Sequence, residues 1–306
     1  MDVLSRLKES KEAKNAGWLI TGKMIQMLLS FMVSVLTARY LGSSDFGIIN
    51  YANAYVAFFT AFCTLGINSI IIKEFADCPD KQGEVIGSAI GLRLISSILS
   101  AVMIVAIVSI ADRNESVTIA VALLCSLSLV FQAFDTFNYW FQSRYASKVT
   151  ALVTLIGYVV ITVYEIILLI LKKNVMWFAA SAALDHACIA VLLFAAYRKA
   201  GGPKLLFSLK KGRVLLGKSY HYILSGMMVA IYGQTDKIML KHMLDESAVG
   251  LYSLATSICG LWTFVLAAVI DSMYPTIVQL YTEKKREQLA DAISFASYRK
   301  EADGNV

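Results

Sequence analysis

The sequence RYLGSSDFGIINYA, residues 39–52, separates two long apolar segments and returns in altered form later in the chain. When the chain is slid against itself by 203 positions, LGSSDFGIINYA falls on LDESAVGLYSLA, residues 244–255. The identical pairs are Leu41 with Leu244, Ser44 with Ser247, Gly47 with Gly250 and Ala52 with Ala255. Self-similarity at a fixed offset indicates repeated structural units. The quoted turn therefore marks the start of a repeated unit.

The composition places the chain in a membrane. Of its 306 residues, 58% are hydrophobic and only 16% are charged, and the mean hydropathy is +0.63. A hydrocarbon core roughly 30 Å thick needs about 20 apolar residues per helix. Eight segments meet this requirement, and we predict spans at residues 16–39, 46–72, 85–110, 117–141, 149–171, 175–197, 220–243 and 249–274.

The distribution of Lys and Arg predicts how the chain crosses the membrane. If the N-terminus is cytoplasmic, that side holds 20 of the 28 basic residues, the opposite loops hold 5 and the spans hold 3. Cytoplasmic loops of membrane proteins carry this kind of excess. We therefore expect a cytoplasmic N-terminus. The net charge of +6 is then a topology signal, with some contact to anionic lipids, and does not indicate nucleic-acid binding.

The two copies of the repeat are predicted to run in the same direction, because six crossings separate them. Parallel repeats related by an axis along the membrane normal are found in secondary transporters, whose substrate site lies between the repeats. We predict an all-α polytopic membrane protein with about eight transmembrane helices. Its parts are a cytoplasmic N-terminus (1–15), a first six-helix lobe (16–197), a basic cytoplasmic linker (198–219), the first hairpin of a second lobe (220–275) and a cytoplasmic or interfacial tail (276–306).

Several spans carry polar residues at helical spacing on one face. An ionisable residue near the bilayer centre costs about 2.5–3.5 kcal/mol and usually faces a cavity. For the uncharged members, interhelical hydrogen bonds are the alternative role. The candidate cavity and substrate-binding residues are Lys23, Gln26, Asn50, Asn53, Asn68, Arg93, Gln132 and Asp135. The candidates for ion coupling are Asp135, Glu165, Asp236 and Asp271.

The sequence carries no motif of a common enzyme class. It has no P-loop, no HExxH or GxSxG motif, and no Cys/His set with metal-ligand spacing. The predicted loops are also too short to hold a catalytic domain. We therefore predict no enzymatic activity, no metal and no cofactor, and an ATP-driven mechanism would require a partner protein.

Three segments resemble a known family. They are NAGWLITGKMIQMLLSFMVSVLTARYLGSSDFGIINYA, NYWFQSRYASK and YGQTDKIMLKHMLDESAVGLYSLA. In these segments, the chain resembles the Wzx-type polysaccharide flippases of the multidrug/oligosaccharidyl-lipid/polysaccharide (MOP) exporter superfamily. The resemblance extends to about residue 280. Asp236, in TDKIML, is the one residue that matches by motif.

The resemblance implies transport of an oligosaccharide repeat unit linked to undecaprenyl pyrophosphate across the bacterial inner membrane. Lys23 and Arg93 would be the cations for the pyrophosphate, while the Asn and Gln side chains would bind sugar hydroxyls. Acids such as Asp135 and Asp236 would couple transport to protons or sodium ions. The implied partners are the lipid-linked oligosaccharide, membrane lipids, a polysaccharide polymerase and glycosyltransferases.

The chain departs from the family pattern after Pro275, where a polar and basic segment follows in place of a ninth span. The family usually has two six-helix bundles. We expect a C-terminally truncated protein, and two chains that share one cleft are the alternative. Two other functions stay open, a cation-coupled drug or metabolite exporter of the same superfamily and a non-transporting membrane scaffold for glycan-assembly enzymes.

Overall fold

The computed structural model describes residues 11–77, 81–113, 115–144 and 146–260, and within these ranges the chain is entirely helical outside its loops and turns. This confirms the all-α prediction. The helices are α1 (Lys11–Cys63), α2 (Asn68–Asp77), α3 (Gln82–Ala111), α4 (Ser116–Gln132), α5 (Thr136–Ser143), α6 (Ser147–Ile170), α7 (Val175–Lys199) and α8 (Leu209–Met243). A further helix, α9, runs from 246 to the last described residue, 260. The chain divides into two compact units, Met1–Leu254 and Ala255–Val306. The helix packing described in the following paragraphs is that of the first unit.

Six helical segments in the described part of the chain are long and apolar enough to cross a membrane. They are Leu29–Cys63, Gln82–Ala111, Ser116–Ser143, Lys148–Ile170, Val175–Lys199 and Leu209–Met243. The first of these holds parts of two predicted spans, which meet at Gly42 in α1. Gly42 has φ 79° and ψ 171°, a conformation that glycine adopts without steric cost. The eighth predicted span, 249–274, lies mostly outside the described residues.

The end of the second predicted span is wrong. Helix α1 ends at Cys63, and the backbone turns before α2 begins at Asn68. Leu65 and Gly66 have positive φ values of 53° and 57°. A Cβ on Gly66 would lie 2.5 Å from the Cβ of Tyr222, so the turn packs closely against α8. The sequence stays apolar through this turn, and for that reason hydropathy does not reveal it.

Among the described residues, the buried apolar side chains form two clusters at opposite ends of α3. One lies at the predicted cytoplasmic end, called the inner end below, and centres on Phe137, Trp140 and Tyr197. The ring centroids of Phe137 and Tyr197 are 4.7 Å apart, and those of Trp140 and Tyr197 are 4.9 Å apart. The other cluster lies at the predicted outer end and includes Tyr51 and Val249. These clusters hold the helices at their ends.

The two copies of the repeated turn pack directly against each other. A Cβ on Gly47 would lie 1.8 Å from the carbonyl oxygen of Glu246, and a Cβ on Gly250 would lie 2.2 Å from that of Ser43. With the offset of 203, Gly47 corresponds to Gly250 and Ser43 to Glu246. The contact is therefore reciprocal, as a two-fold axis between the copies requires. The side-chain hydroxyls of Ser43 and Ser247 are also hydrogen-bonded.

The connection between the lobes docks on α3. Helix α8 begins at Leu209, within the predicted linker, and is preceded by residues 202–208 without regular structure, called the linker segment below. The backbone N–H of Leu206 donates to the carbonyl of Gly83 at 3.1 Å. A Cβ on Gly87 would lie 2.4 Å from the carbonyl oxygen of Leu206. Glycines on one face of α3 thus form the groove that holds this segment.

An ion-pair cluster joins α2 to the start of α8 at the inner end. Glu74 accepts from Lys211 Nζ at 2.6 Å and from Lys218 Nζ at 2.5 Å. These two hydrogen bonds hold the pKa of the Glu74 carboxyl below its ordinary value. The carboxylate form therefore stabilises the contact between α2 and α8.

We expect Glu74→Gln to lower stability by about 1.5–3 kcal/mol, because hydrogen bonds to charged groups contribute about this much. Because the folded-state pKa is depressed, the contribution is present above the ordinary carboxyl pKa of about 4.3. It is lost as pH falls through the lowered value. Thermal unfolding in detergent at several pH values measures both effects. Glu84→Gln is the matched control, and an equal loss in both variants would contradict the prediction.

Candidate functional site

A polar pocket opens in the first lobe, between the two halves of α1 and helices α6 and α7. It holds about 270 Å³ of space. Its polar lining residues are Ser30, Ser34, Thr37, Asn50, Asn53, Tyr158, Thr162, Glu165, Ser181 and Asp185. These residues recur at spacings of three and four along each helix, so each helix turns one polar face toward the same space. Apolar residues of α6 such as Val159, Val163 and Ile166 are exposed on the bundle surface, where lipid would lie.

Two oxygen atoms among the lining residues are buried without a hydrogen-bond partner in the described part of the chain. They are Thr37 Oγ1 and Asp185 Oδ1. Thr37 is only 7% exposed. A buried polar atom without a partner costs about 1–3 kcal/mol. A ligand carrying hydroxyl groups could form hydrogen bonds with both oxygen atoms, because a hydroxyl both donates and accepts hydrogen bonds.

Three predicted site residues line this pocket, namely Asn50, Asn53 and Glu165. The Asn50 Nδ2 group donates to the Phe46 carbonyl at 2.8 Å, which leaves its Oδ1 to accept from a ligand. Glu165 lies across the pocket from Ser181 and interacts with it. Gln26 interacts with Tyr158, one of the lining residues, and so lies beside the pocket.

Arg93 and Asp135 lie together in the interior of the lobe and do not line the pocket. Arg93 is 2% exposed, and its guanidinium donates to Thr136 Oγ1 at 3.1 Å. Asp135 lies in the 3₁₀ turn Ala133–Asp135 between α4 and α5. It interacts electrostatically with Arg93 and His186, and Asp185 in turn interacts with Asp135. Interacting charged groups therefore connect the pocket, at Asp185, to Asp135 and Arg93 in the interior of the lobe.

The remaining predicted residues are scattered. Asn68 begins α2, off the helical face that carries Asn50 and Asn53, because α1 ends before it. Gln132 ends α4, and Oδ1 of Asn68 and Oε1 of Gln132 are buried without a partner among the described residues. Asp236 accepts from the hydroxyl of Tyr252 and from the backbone N–H of Lys237. The side chain of Lys23 and all of Asp271 lie outside the described residues.

A second polar site, the outer cluster, consists of Asp112, Glu115, Lys241 and Glu246. Lys241 Nζ lies 2.5 Å from Glu115, 2.6 Å from Glu246 and 3.8 Å from Asp112, and its side chain is 3% exposed. The hydrogen bond from Lys241 holds the pKa of Glu246 below its ordinary value. Lys241 thus connects α8 and α9 to the loop after α3.

Tyr51 extends the outer cluster into the first lobe. It is fully buried, donates to Asp112 Oδ2 at 2.9 Å, and its hydroxyl lies 3.1 Å from Nε2 of His242. The Lys241 ammonium lies 5.4 Å from the centroid of the Tyr51 ring. The cluster adjoins the reciprocal contact of Gly47 and Gly250, since Glu246 takes part in both. Together they tie the outer ends of the two repeat copies.

Sequence reasoning misses the outer cluster and part of the pocket. In the sequence, Lys241 is simply an outer-loop charge, and the acids around it lie far apart along the chain. Asp185 could lie near a helix end at the membrane interface, so its charge does not by itself indicate a site. Ser181 alone does not indicate a binding site either. The spacing of Ser181 and Asp185, four residues apart on α7, is the signal that could have indicated a polar face there.

Comparisons with known proteins agree with this architecture. A family model described as polysaccharide biosynthesis protein matches residues 13–281. A solved structure described as the inward-facing conformation of a multidrug resistance MATE family transporter of the MOP superfamily has a TM-score of 0.62 and 16% sequence identity. The match covers 89% of this chain and 66% of that transporter, so the chain spans just under two thirds of its length. None of the curated proteins matches significantly. The family and the structure are those of transporters rather than enzymes.

Proposed function

Because the chain belongs to the polysaccharide biosynthesis protein family, a family of multi-pass membrane exporters, we propose that it translocates a lipid-linked oligosaccharide. The proposed substrate is a repeat unit on undecaprenyl pyrophosphate, and the proposed location is the bacterial inner membrane with the N-terminus in the cytoplasm. Glycosyltransferases would supply this substrate and a polymerase would use it. The polar pocket is the observation that carries the proposal.

The chemistry of the pocket suits a sugar. Its amide, hydroxyl and carboxylate groups offer acceptors and donors on three helices, and two of its oxygen atoms lack partners among the described residues. Its volume of about 270 Å³ lies just below the range for ligand sites, about 300–1,000 Å³. It would therefore accommodate one sugar ring at a time rather than a whole repeat unit.

The pyrophosphate requires a cation next to the pocket. Lys23 lies on α1 seven residues before Ser30 and fourteen before Thr37, a spacing that keeps all three on one face of a helix. We assign the headgroup to Lys23. Arg93 instead has its guanidinium hydrogen-bonded to Thr136 and lies beside Asp135, so its proposed role is to balance the charge of Asp135.

Transport in this proposal proceeds by alternating access. The outer cluster and the glycine contact close the outer end, and their separation would open the pocket to the outside. The acids Glu165, Asp185 and Asp135 are the proposed sites at which a proton or sodium ion couples to this change, since they form a continuous set of interacting groups. Asp236 would act instead as a structural contact to Tyr252.

Variants of the pocket test the proposal. We expect Asn50→Ala and Asn53→Ala each to weaken binding of the lipid-linked oligosaccharide by about two- to tenfold, because a net hydrogen bond contributes about 0.5–1.5 kcal/mol. Binding is measured by the ligand-induced rise in unfolding temperature in detergent. Transport is measured as surface polysaccharide in a strain that lacks its own flippase. Asn174→Ala, at an exposed position on the loop before α7, is the matched control. Unchanged binding in both pocket variants would refute the proposal.

The two acids in the pocket also favour a cation-coupled drug exporter. Glu165 and Asp185 could bind an organic cation. Resistance to cationic dyes, measured in the same strains, separates the two functions. A loss of dye resistance in Glu165→Gln, with no change in surface polysaccharide, would support the drug exporter.

A further inference from the structure

We propose that the linker segment and the first turns of α8 form a binding surface for anionic phospholipids of the inner leaflet. The inference does not depend on the identity of the transported substrate. It rests on charge, on exposed apolar side chains and on the way in which the linker backbone is held.

The surface is strongly basic. Arg198, Lys199, Lys204, Lys210 and Arg213 are all exposed. No Asp or Glu occurs between Asp185 and Asp236, so the sequence offers no local acid to neutralise them. Lys211 and Lys218, by contrast, are paired with Glu74. The exposed cations are therefore available to an anionic partner.

Apolar side chains are exposed beside these cations. Leu206 is 62% exposed, Phe207 is 53% exposed and Leu209 is 76% exposed. Amphipathic segments that combine basic residues with Leu and Phe bind at the membrane interface, where the apolar groups enter the acyl boundary and the cations meet anionic headgroups.

The backbone of the linker segment is fixed in a way that presents these side chains. Ser88 Oγ donates to the Ser208 carbonyl at 3.1 Å and accepts from the Ser208 N–H at 3.0 Å. Leu206 N–H donates to Gly83, and the Phe207 ring passes over Gly91. The backbone at Leu206 and Ser208 is thus hydrogen-bonded to α3, while the side chains of Leu206 and Leu209 are exposed. Such a segment loses little conformational entropy when lipid binds.

Fluorescence quenching tests the proposal. The protein carrying Phe207→Trp is reconstituted into phosphatidylcholine vesicles with brominated phosphatidylglycerol or brominated phosphatidylcholine. Quenching of the added fluorescence, relative to the parent chain, gives the relative binding constant of the two lipids. We expect phosphatidylglycerol to be preferred. Each basic residue near an anionic surface contributes about 1 kcal/mol, so the variant Lys204→Gln/Lys210→Gln/Arg213→Gln should reduce the preference by up to about a hundredfold and thus abolish it.

Two controls distinguish lipid binding at this surface from a general effect of net charge and from misfolding. The triple variant Arg39→Gln/Lys172→Gln/Lys173→Gln removes the same charge from the opposite side and should retain the preference. Gel filtration shows whether each variant is folded. An unchanged preference in the linker variant would overturn the proposal, as would an absence of quenching at position 207. Loss of the preference in inorganic phosphate, but not in sodium chloride of equal ionic strength, would also overturn it, because simple screening would act in both and the difference would indicate a discrete phosphate site.

Discussion

Replacing Lys241 with alanine is expected to reduce the stability of the protein by about 3 kcal/mol. This is the lower end of the range found when one partner of a buried ion pair is removed, because Glu115 and Glu246 are partly exposed. The ammonium lies 2.5 Å and 2.6 Å from two carboxylates, and its side chain is 3% exposed. Without it, Asp112, Glu115 and Glu246 would repel one another, and Asp112 would be left buried without its cation. The drop in unfolding temperature in detergent measures this effect.

The same variant tests whether the outer cluster closes the outer end. We expect a cysteine placed at Asn50 to react faster with an impermeant maleimide from outside when Lys241 is alanine, because the pocket becomes accessible. The background lacks the chain's five native cysteines. Lys241→Arg retains the charge and should restore most of the protection. Arg39→Ala, at an exposed position in α1, is the matched control. Equal labelling in Lys241→Ala and Arg39→Ala would contradict closure by the cluster.

Replacing Gly47 with alanine is the second substitution with a large expected effect. Its Cβ would lie 1.8 Å from the backbone carbonyl oxygen of Glu246, and backbone cannot move aside as a flexible side chain can. The helices must separate, at a cost of about 1–3 kcal/mol or more for overpacking. We expect a lower unfolding temperature and increased labelling at position 50 from outside.

The contact between Gly47 and Gly250 is reciprocal, so the prediction extends to Gly250. Gly250→Ala should have a similar effect, because its Cβ would lie 2.2 Å from the Ser43 carbonyl oxygen. The double variant should cost less than the sum of the single ones, since one separation relieves both clashes. Gly233→Ala is the control, because nothing lies within 4 Å of a Cβ at that position. If Gly47→Ala behaved like Gly233→Ala, the close contact would not exist.

The fold was predictable from the sequence to the extent that it depends on hydropathy and repetition. Apolar runs of span length identified the membrane helices. The sequence similarity around Gly47 and Gly250 identified the parallel repeat. The turn at Leu65 and Gly66 could not be predicted, because its residues are as apolar as the helix before it. The start of α8 at Leu209 was hidden for the opposite reason, since basic residues on a helix resemble those of a loop.

The candidate site was predictable only in part. Helical spacing placed Asn50 and Asn53 on one face of α1, and both line the pocket. Spacing within one helix cannot show which helices face one another, so the joining of Asn50 to Glu165 and Asp185 required the packed bundle. The outer cluster was hidden for the same reason, because Asp112 and Lys241 are distant in sequence and become neighbours only when the repeat copies meet.

The contact between the repeat copies has the form of an isologous interface, in which the same patch on two subunits meets itself across a two-fold axis. Here both patches belong to one chain, at Ser43 and Gly47 and at Glu246 and Gly250. The same carbonyl-to-glycine contact is made twice and sets the register of the two hairpins. A side chain acquired by either glycine would therefore disturb both copies, and the two positions are constrained as a pair.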